Sequence, residues 1–98
     1  MIFGRVYKIV DKRTPSEVLY VGSTETSLSV RWSTHKFDSK RYSAKVNKYL
    51  LKNECDNFKL VLFEEGDFQD IFDLRAREEH YRMLHNPPLN SMVCYTGI

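Results

Sequence analysis

The chain reads as an α+β fold, a small three-stranded antiparallel β-sheet flanked by helices in the order strand, strand, helix, helix, strand, helix. Two observations predict the sheet. Ile2 to Val10 and Glu17 to Gly22 are rich in β-branched and aromatic residues around a polar, proline-bearing stretch, and Phe58 to Phe63 is a short apolar run. A third predicts the helical layer: from Asp67 to His85 the positions Ile71, Leu74, Glu78, Tyr81 and His85 recur at the i, i+3, i+7 rhythm of a buried helical stripe.

Each element has a local cause. Asp11-Lys12-Arg13-Thr14-Pro15-Ser16 stops the first strand, and the second returns to pair with it as an antiparallel hairpin. With a side-chain period of two, Arg5, Tyr7 and Ile9 share one face, as do Val18, Tyr20 and Gly22. Both phenols then project to one side of the sheet if the register permits. Thr26 or Ser27 can cap a helix through about Lys36, with Leu28, Trp32 and His35 as its apolar stripe. A second helix is expected from Ser43 to Lys52, turning Val46, Tyr49 and Leu50 inward and Lys45, Lys48 and Lys52 outward as a basic ridge. The third strand is expected to end at Glu64-Glu65-Gly66. The last helix should stop at Asn86-Pro87-Pro88, because proline cannot donate to the helical ladder.

At 98 residues the expectation is a single domain over residues 1–98 with one modest core. No apolar run reaches the roughly 20 residues of a membrane helix, and Met1 leads into a strand-like segment with no signal-peptide pattern. The expected location is therefore intracellular, in cytoplasm or nucleus, with no membrane partner. Cys55 and Cys94 lie far apart without metal-ligand spacing, so reduced thiols are expected and a zinc site is not.

Net charge is only +2, but its distribution is uneven. Residues 1–53 carry eleven Lys or Arg against four Asp or Glu, and residues 54–98 carry four against nine, so the halves stand at +7 and −5. Arg31, Lys36, Lys40, Arg41, Lys45, Lys48 and Lys52 follow one another with Asp38 the only acid among them. That density suits a polyanion such as DNA, and it also suits a solvated basic face.

Chemistry-bearing residues occur at both ends of the chain. Arg31 and His35 stand four apart, which places a fixed cation and a titratable ring at one spot on a helix. Glu78 interrupts the apolar stripe of the last helix, where a charge is costly unless paired or bound to metal. It either pairs with Arg75, Arg82 or Arg31 or binds a cation. Glu79, about 100° round the helix, is expected to face solvent.

Tyr7 in Arg5-Val6-Tyr7, then Tyr20-Val21-Gly22, Arg31, His35, Arg77-Glu78 and Asn90 together resemble the GIY-YIG nuclease family, over Val6 to Asn90. The opening triplet lacks the glycine and isoleucine of the family name, and Val21 replaces isoleucine. The resemblance implies a metal-dependent endonuclease that hydrolyses DNA phosphodiester bonds with one divalent ion, Mg2+ or Mn2+, at a site on one sheet face. It implies Tyr7 as the base that activates water, Tyr20 as a partner positioning water or phosphate, and Arg31 as the phosphate clamp. Glu78 is the implied metal ligand, and His35 relays a proton or contacts phosphate. Asn90 braces the site, and Tyr42 falls near a position where some members place a histidine. A phenol titrates near pH 10, so a tyrosine base needs positive charge nearby.

Three organisations fit these residues: a stand-alone nuclease that forms a homodimer or recognises DNA shape, a catalytic fragment of a larger homing, repair or restriction-type nuclease, and a catalytically silent nucleic-acid-binding module of the same fold.

Overall fold

The computed structural model describes residues 1–42 and 44–90. Strand β1 (Ile2–Asp11) is central, flanked by β2 (Tyr20–Thr24) and β3 (Phe58–Phe68), and both pairings are antiparallel. The helices are α1 (Leu28–Ser39), α2 (Lys45–Lys52) and α3 (Ile71–His85). The α+β class, the element order and the three-stranded antiparallel sheet are those read from the sequence.

Several boundaries differ, each for a local reason. The turn after β1 consumes residues expected in β2: Thr14 N–H donates to Asp11 O and Glu17 N–H to Thr14 O, so regular strand begins at Tyr20. Glu64-Glu65-Gly66 does not end β3. The strand continues to Phe68 because β1 offers an unpaired N-terminal half, and Ile2 pairs opposite Phe68. Between Val6 and Tyr7 the register slips, Val6 facing Glu64 and Tyr7 facing Leu62, which leaves Phe63 as the extra residue of a β-bulge. Phe63 stacks on Tyr81 and His85 of α3.

Helix α1 is capped by Ser27, whose side chain accepts from Val30 N–H, and it runs three residues past Lys36. Helix α2 begins at Lys45, and the expected start at Ser43 lies outside the described residues, as does Cys94. Asp70 caps α3 by accepting from Asp73 N–H, so this helix starts four residues later than the periodicity suggests. It ends at Asn86, whose left-handed backbone (φ 45°) returns its N–H to Arg82 O just before Pro87.

The core has two layers. On one face of the sheet Tyr7, Ile9, Val46, Leu50, Phe58 and Leu89 pack together, with Trp32 and Tyr20 at their edge. On the other, Val6, Val21 and Phe68 pack under Leu74 of α3. Gly4 permits the α3 approach, since a Cβ there would lie 2.7 Å from Leu74 Cδ2. Among the described residues no helix is long and apolar enough to cross a membrane.

Candidate active site

The site begins with a register. Tyr7 on β1 stands directly opposite Gly22 on β2, and its ring lies across the glycine. A Cβ at Gly22 would come within 2.5 Å of the phenolic oxygen and 2.6 Å of Cζ, distances no side chain tolerates. The glycine is thus a steric requirement of the tyrosine.

Helix α1 supplies the partners of that phenol. Arg31 Nε–H donates to the Tyr7 oxygen at 3.1 Å, and His35 Nε2 lies 2.7 Å from it. Arg31 and His35 are one helical turn apart, which is why both reach one oxygen. His35 is 3% exposed and packed edge-on against Tyr7 and Tyr20, with Trp32 tilted beside it. Burial first, and then the Arg31 charge, push its pKa from 6.5 down to about 3. The ring is therefore neutral, and one of its nitrogens can accept a proton. Arg31 is itself held cationic: burial opposes its charge, but attraction to Tyr7, Tyr20 and Asp38 and the hydrogen bond to Tyr7 together outweigh burial and raise its pKa.

The opposite wall comes from α3. Glu78 accepts a hydrogen bond from Ser23 Oγ on β2. In β2 the alternation of side chains sends Tyr20 to the α1 side of the sheet and Val21 to the α3 side, and Ser23 follows Val21. The expected site on one sheet face is corrected accordingly, since the residues reach the cleft from both faces around the β2 edge. Asn90 closes that edge: its side-chain oxygen accepts from Val21 N–H at 3.0 Å and its amide donates to Val21 O at 2.9 Å. One side chain there does the work of a neighbouring strand residue.

A cleft of about 540 Å³ lies between these walls, and Tyr7, Tyr20, Gly22, Arg31, Glu78 and Asn90 line it. His35, at 3% exposure, is not among them and stands behind the cleft wall, against Tyr7 and Tyr20. Tyr42 is 60% exposed and is not part of the cleft wall either. Glu79 does not simply face solvent: it is largely covered and forms an ion pair with Arg82 one turn along. Lys40, Arg41, Lys45, Lys48 and Lys52 are exposed and Lys36 is half-buried, all outside the cleft wall.

Ser23 and Arg75 line the cleft as well, and neither stood out in the sequence as a site residue. Arg75 stands three residues before Glu78, so the helical period carried a signal for it. Ser23 carried none, because its role depends on which way β2 faces.

The donor chemistry bears on which metal the cleft suits. Among the described residues no group of three His, Cys, Asp or Glu side chains converges. Glu78 offers a hard oxygen donor on the wall of a roomy, partly polar cleft. Magnesium binds through one or two carboxylates and keeps several waters, so these residues fit it, whereas zinc prefers four nitrogen or sulfur donors.

The GIY-YIG catalytic domain family model matches residues 3–92. Protein 146R of Invertebrate iridescent virus 6, named for an MSV199 domain, is 38% identical over 79 residues, which are 80% of this chain and 31% of that protein. The uncharacterised protein 019R of the same virus is 27% identical over 82 residues, 83% of this chain and 29% of that protein. The chain thus spans about a third of the length of these relatives. Among solved structures, a glutamate-to-alanine mutant of the catalytic domain of intron endonuclease I-TevI superposes with a TM-score of 0.74 at 20% identity, covering 98% of this chain and 100% of that one.

Proposed function

The chain belongs to the GIY-YIG catalytic domain family, and from that membership we propose that it is an endonuclease that hydrolyses DNA phosphodiester bonds with the aid of one magnesium or manganese ion. The observation that carries the reading is the Tyr7 oxygen held between Arg31 and His35 on one wall of a cleft whose other wall presents Glu78.

Hydrolysis needs a proton acceptor for water, positive charge for the pentacovalent transition state and help for the departing oxygen. Arg31 supplies fixed positive charge where a phosphate would enter. Tyr7 accepts the water proton as its own passes to His35 Nε2, so the phenol need not be ionised beforehand. The new P–O bond forms as the bond to the leaving oxygen breaks. Burial, the larger of the two causes that keep His35 neutral, stays with substrate bound, while a phosphate beside Arg31 offsets the smaller one and makes the imidazole somewhat more basic. Tyr20 borders the same space and positions water or phosphate. Glu78 would hold the divalent ion, which supplies positive charge to phosphate and leaving oxygens when bound.

Supercoiled plasmid incubated with Mg2+ or Mn2+ should be nicked and linearised, and chelator should stop it. Glu78→Gln should abolish cleavage while leaving DNA binding in metal-free buffer intact. Glu79→Gln, which can still hydrogen-bond Arg82, should keep most of the rate. Plasmid cut equally well by the Glu78→Gln variant would end this assignment, and plasmid left intact by the wild-type protein under all metals would favour a silent DNA-binding module.

A further inference from the structure

Beside the cleft, at the C-terminal end of α1, two large aromatic side chains stand in solvent: Phe37 is 56% exposed and Tyr42 is 60% exposed. We propose that they form a stacking subsite for an unpaired DNA base next to the scissile phosphate, so that the protein prefers DNA with unpaired bases at the cut over intact duplex. This inference rests on DNA being the substrate of the cleft.

Three observations carry it. The first is position. Thr34 lines the cleft one turn before Phe37, and Ala44 lines it two residues after Tyr42, so along the chain both aromatic residues fall between cleft-lining positions. The end of α1 holds the pair in place, with Lys40 N–H donating to Phe37 O and Tyr42 N–H to Asp38 O.

The second is charge. Lys36, Lys40, Arg41 and Lys45 flank the two aromatic residues along the chain, with Asp38 the only acid between Arg31 and Lys52. The Arg41 guanidinium lies 4.8 Å from the Phe37 ring centroid. Exposed rings interleaved with cations match what single-stranded nucleic acid offers, a π-face on every base and a phosphate at every step.

The third is the contrast with other exposed apolar groups. Phe72 on α3 is as open as Phe37, but Asp70 and Asp73 outnumber Arg75 in the chain around it, whereas Lys36, Lys40, Arg41 and Lys45 outnumber Asp38 around Phe37 and Tyr42. A base in intact duplex is stacked on both sides and cannot reach a protein ring. One freed by a gap, bubble or mismatch can.

The test uses the whole chain in metal-free buffer, where binding is read without cleavage. Two oligonucleotides of equal length are compared, one an intact duplex and one with a bubble of about three bases carrying 2-aminopurine. The bubble should bind roughly tenfold more tightly than the duplex, a size within what base–aromatic stacking supplies. The 2-aminopurine fluorescence should be quenched on binding. Phe37→Ala and Tyr42→Ala should each bring bubble affinity toward the duplex value and reduce the quench, without changing duplex affinity. Both side chains are mainly in solvent, so the variants should fold, and an unchanged circular dichroism spectrum checks it.

Equal binding of bubble and duplex by the wild-type protein overturns the proposal. So does an equal loss for both DNAs in the variants, which would mean general backbone contact. If no DNA is cleaved with metal present but the quench and the preference remain, the stacking subsite stands and the nuclease reading falls. Cleavage without a bubble preference removes the subsite and leaves the nuclease reading in place.

Discussion

A phenol with an arginine and a histidine on its oxygen and a glycine under its ring is constrained in every direction, and its conservative change is informative. Tyr7→Phe keeps the ring over Gly22 and removes only the oxygen shared by Arg31 and His35. Folding and DNA binding should persist while single-turnover cleavage falls by roughly a hundredfold to ten-thousandfold. Near-normal cleavage would move the base role elsewhere. Gly22→Ala attacks the same contact from the other strand, and the buried ring has little room to give, so a loss of stability of about 1–3 kcal/mol is expected with the loss of activity. His35 gives a pH signature. Its folded pKa, about 3, lies below the 6.5 of the unfolded chain, so between those values only the unfolded state takes up a proton. Stability from this group is complete above pH 6.5 and is lost as pH falls toward 3, at up to about 1.4 kcal/mol per pH unit. Denaturant titrations across that window should show a shallower acid loss in His35→Asn than in wild type, and equal slopes would mean that the ring is not buried neutral. Arg31, His35 and Glu78 could be picked out by residue type and spacing, and Tyr7 through the family resemblance. Their mutual contacts could not, because Tyr7 meets Gly22 only in one strand register, and nothing local in the sequence chooses it.

At the scale of elements, the edge strand β2 governs the site, because it presents Tyr20 and Gly22 to one side and Val21 and Ser23 to the other. It has only five residues, and among the described residues one of its edges has no strand beside it. Asn90 takes up both backbone groups of Val21 there, and Leu89 N–H donates to Leu19 O beside it. Asn90→Ala should therefore lower stability by about 1–3 kcal/mol, the range for leaving part-buried backbone groups unsatisfied. It should also slow cleavage, since Tyr20 and Ser23 lose their support. Asn90→Asp should rescue little of either, because a carboxylate oxygen would face the Val21 carbonyl. Thermal melts and initial rates on the three proteins separate these cases, and a melting temperature unchanged in Asn90→Ala would mean that solvent replaces the amide without cost. The family resemblance named Asn90 as a brace, but what it braces became visible only with the chain folded back on β2. The extension of β3 was illegible for a related reason. Glu64-Glu65-Gly66 looks like a strand end by composition, yet Arg5 and Arg77 pair with those carboxylates, and β1 supplies the hydrogen bonds that keep the strand going.

Across the whole molecule the charge asymmetry is the feature that bears on DNA. The fold brings α3, with Glu78 and Arg75, to one wall of the cleft, while the basic run continues from Arg31 on the other wall onto the exposed face of α2. The asymmetry was legible from sequence, whereas the cleft between the two walls was not, since it needs α1 and α3 on opposite faces of one sheet. The longest dimension of the described fold is 36 Å, enough for about ten base pairs at roughly 3.4 Å each. Lys45, Lys48 and Lys52 lie on the solvent side of α2, opposite Val46 and Leu50 in the core, and are free to meet phosphates without touching the cleft. Lysines so placed neutralise phosphate charge and read no bases. Changing all three to alanine should weaken binding to every DNA sequence alike and lower the slope of log affinity against log salt by about one for each phosphate no longer neutralised. The cleavage rate at saturating DNA should hold, because the ridge takes no part in positioning Tyr7, Arg31 or Glu78. Fluorescence anisotropy at several salt concentrations, run beside saturating cleavage assays, distinguishes the possibilities. A slope and affinity unchanged in the triple variant would make the ridge a solvated face and place the DNA on another surface, and a fall in saturating rate would mean that α2 helps to shape the cleft through Val46.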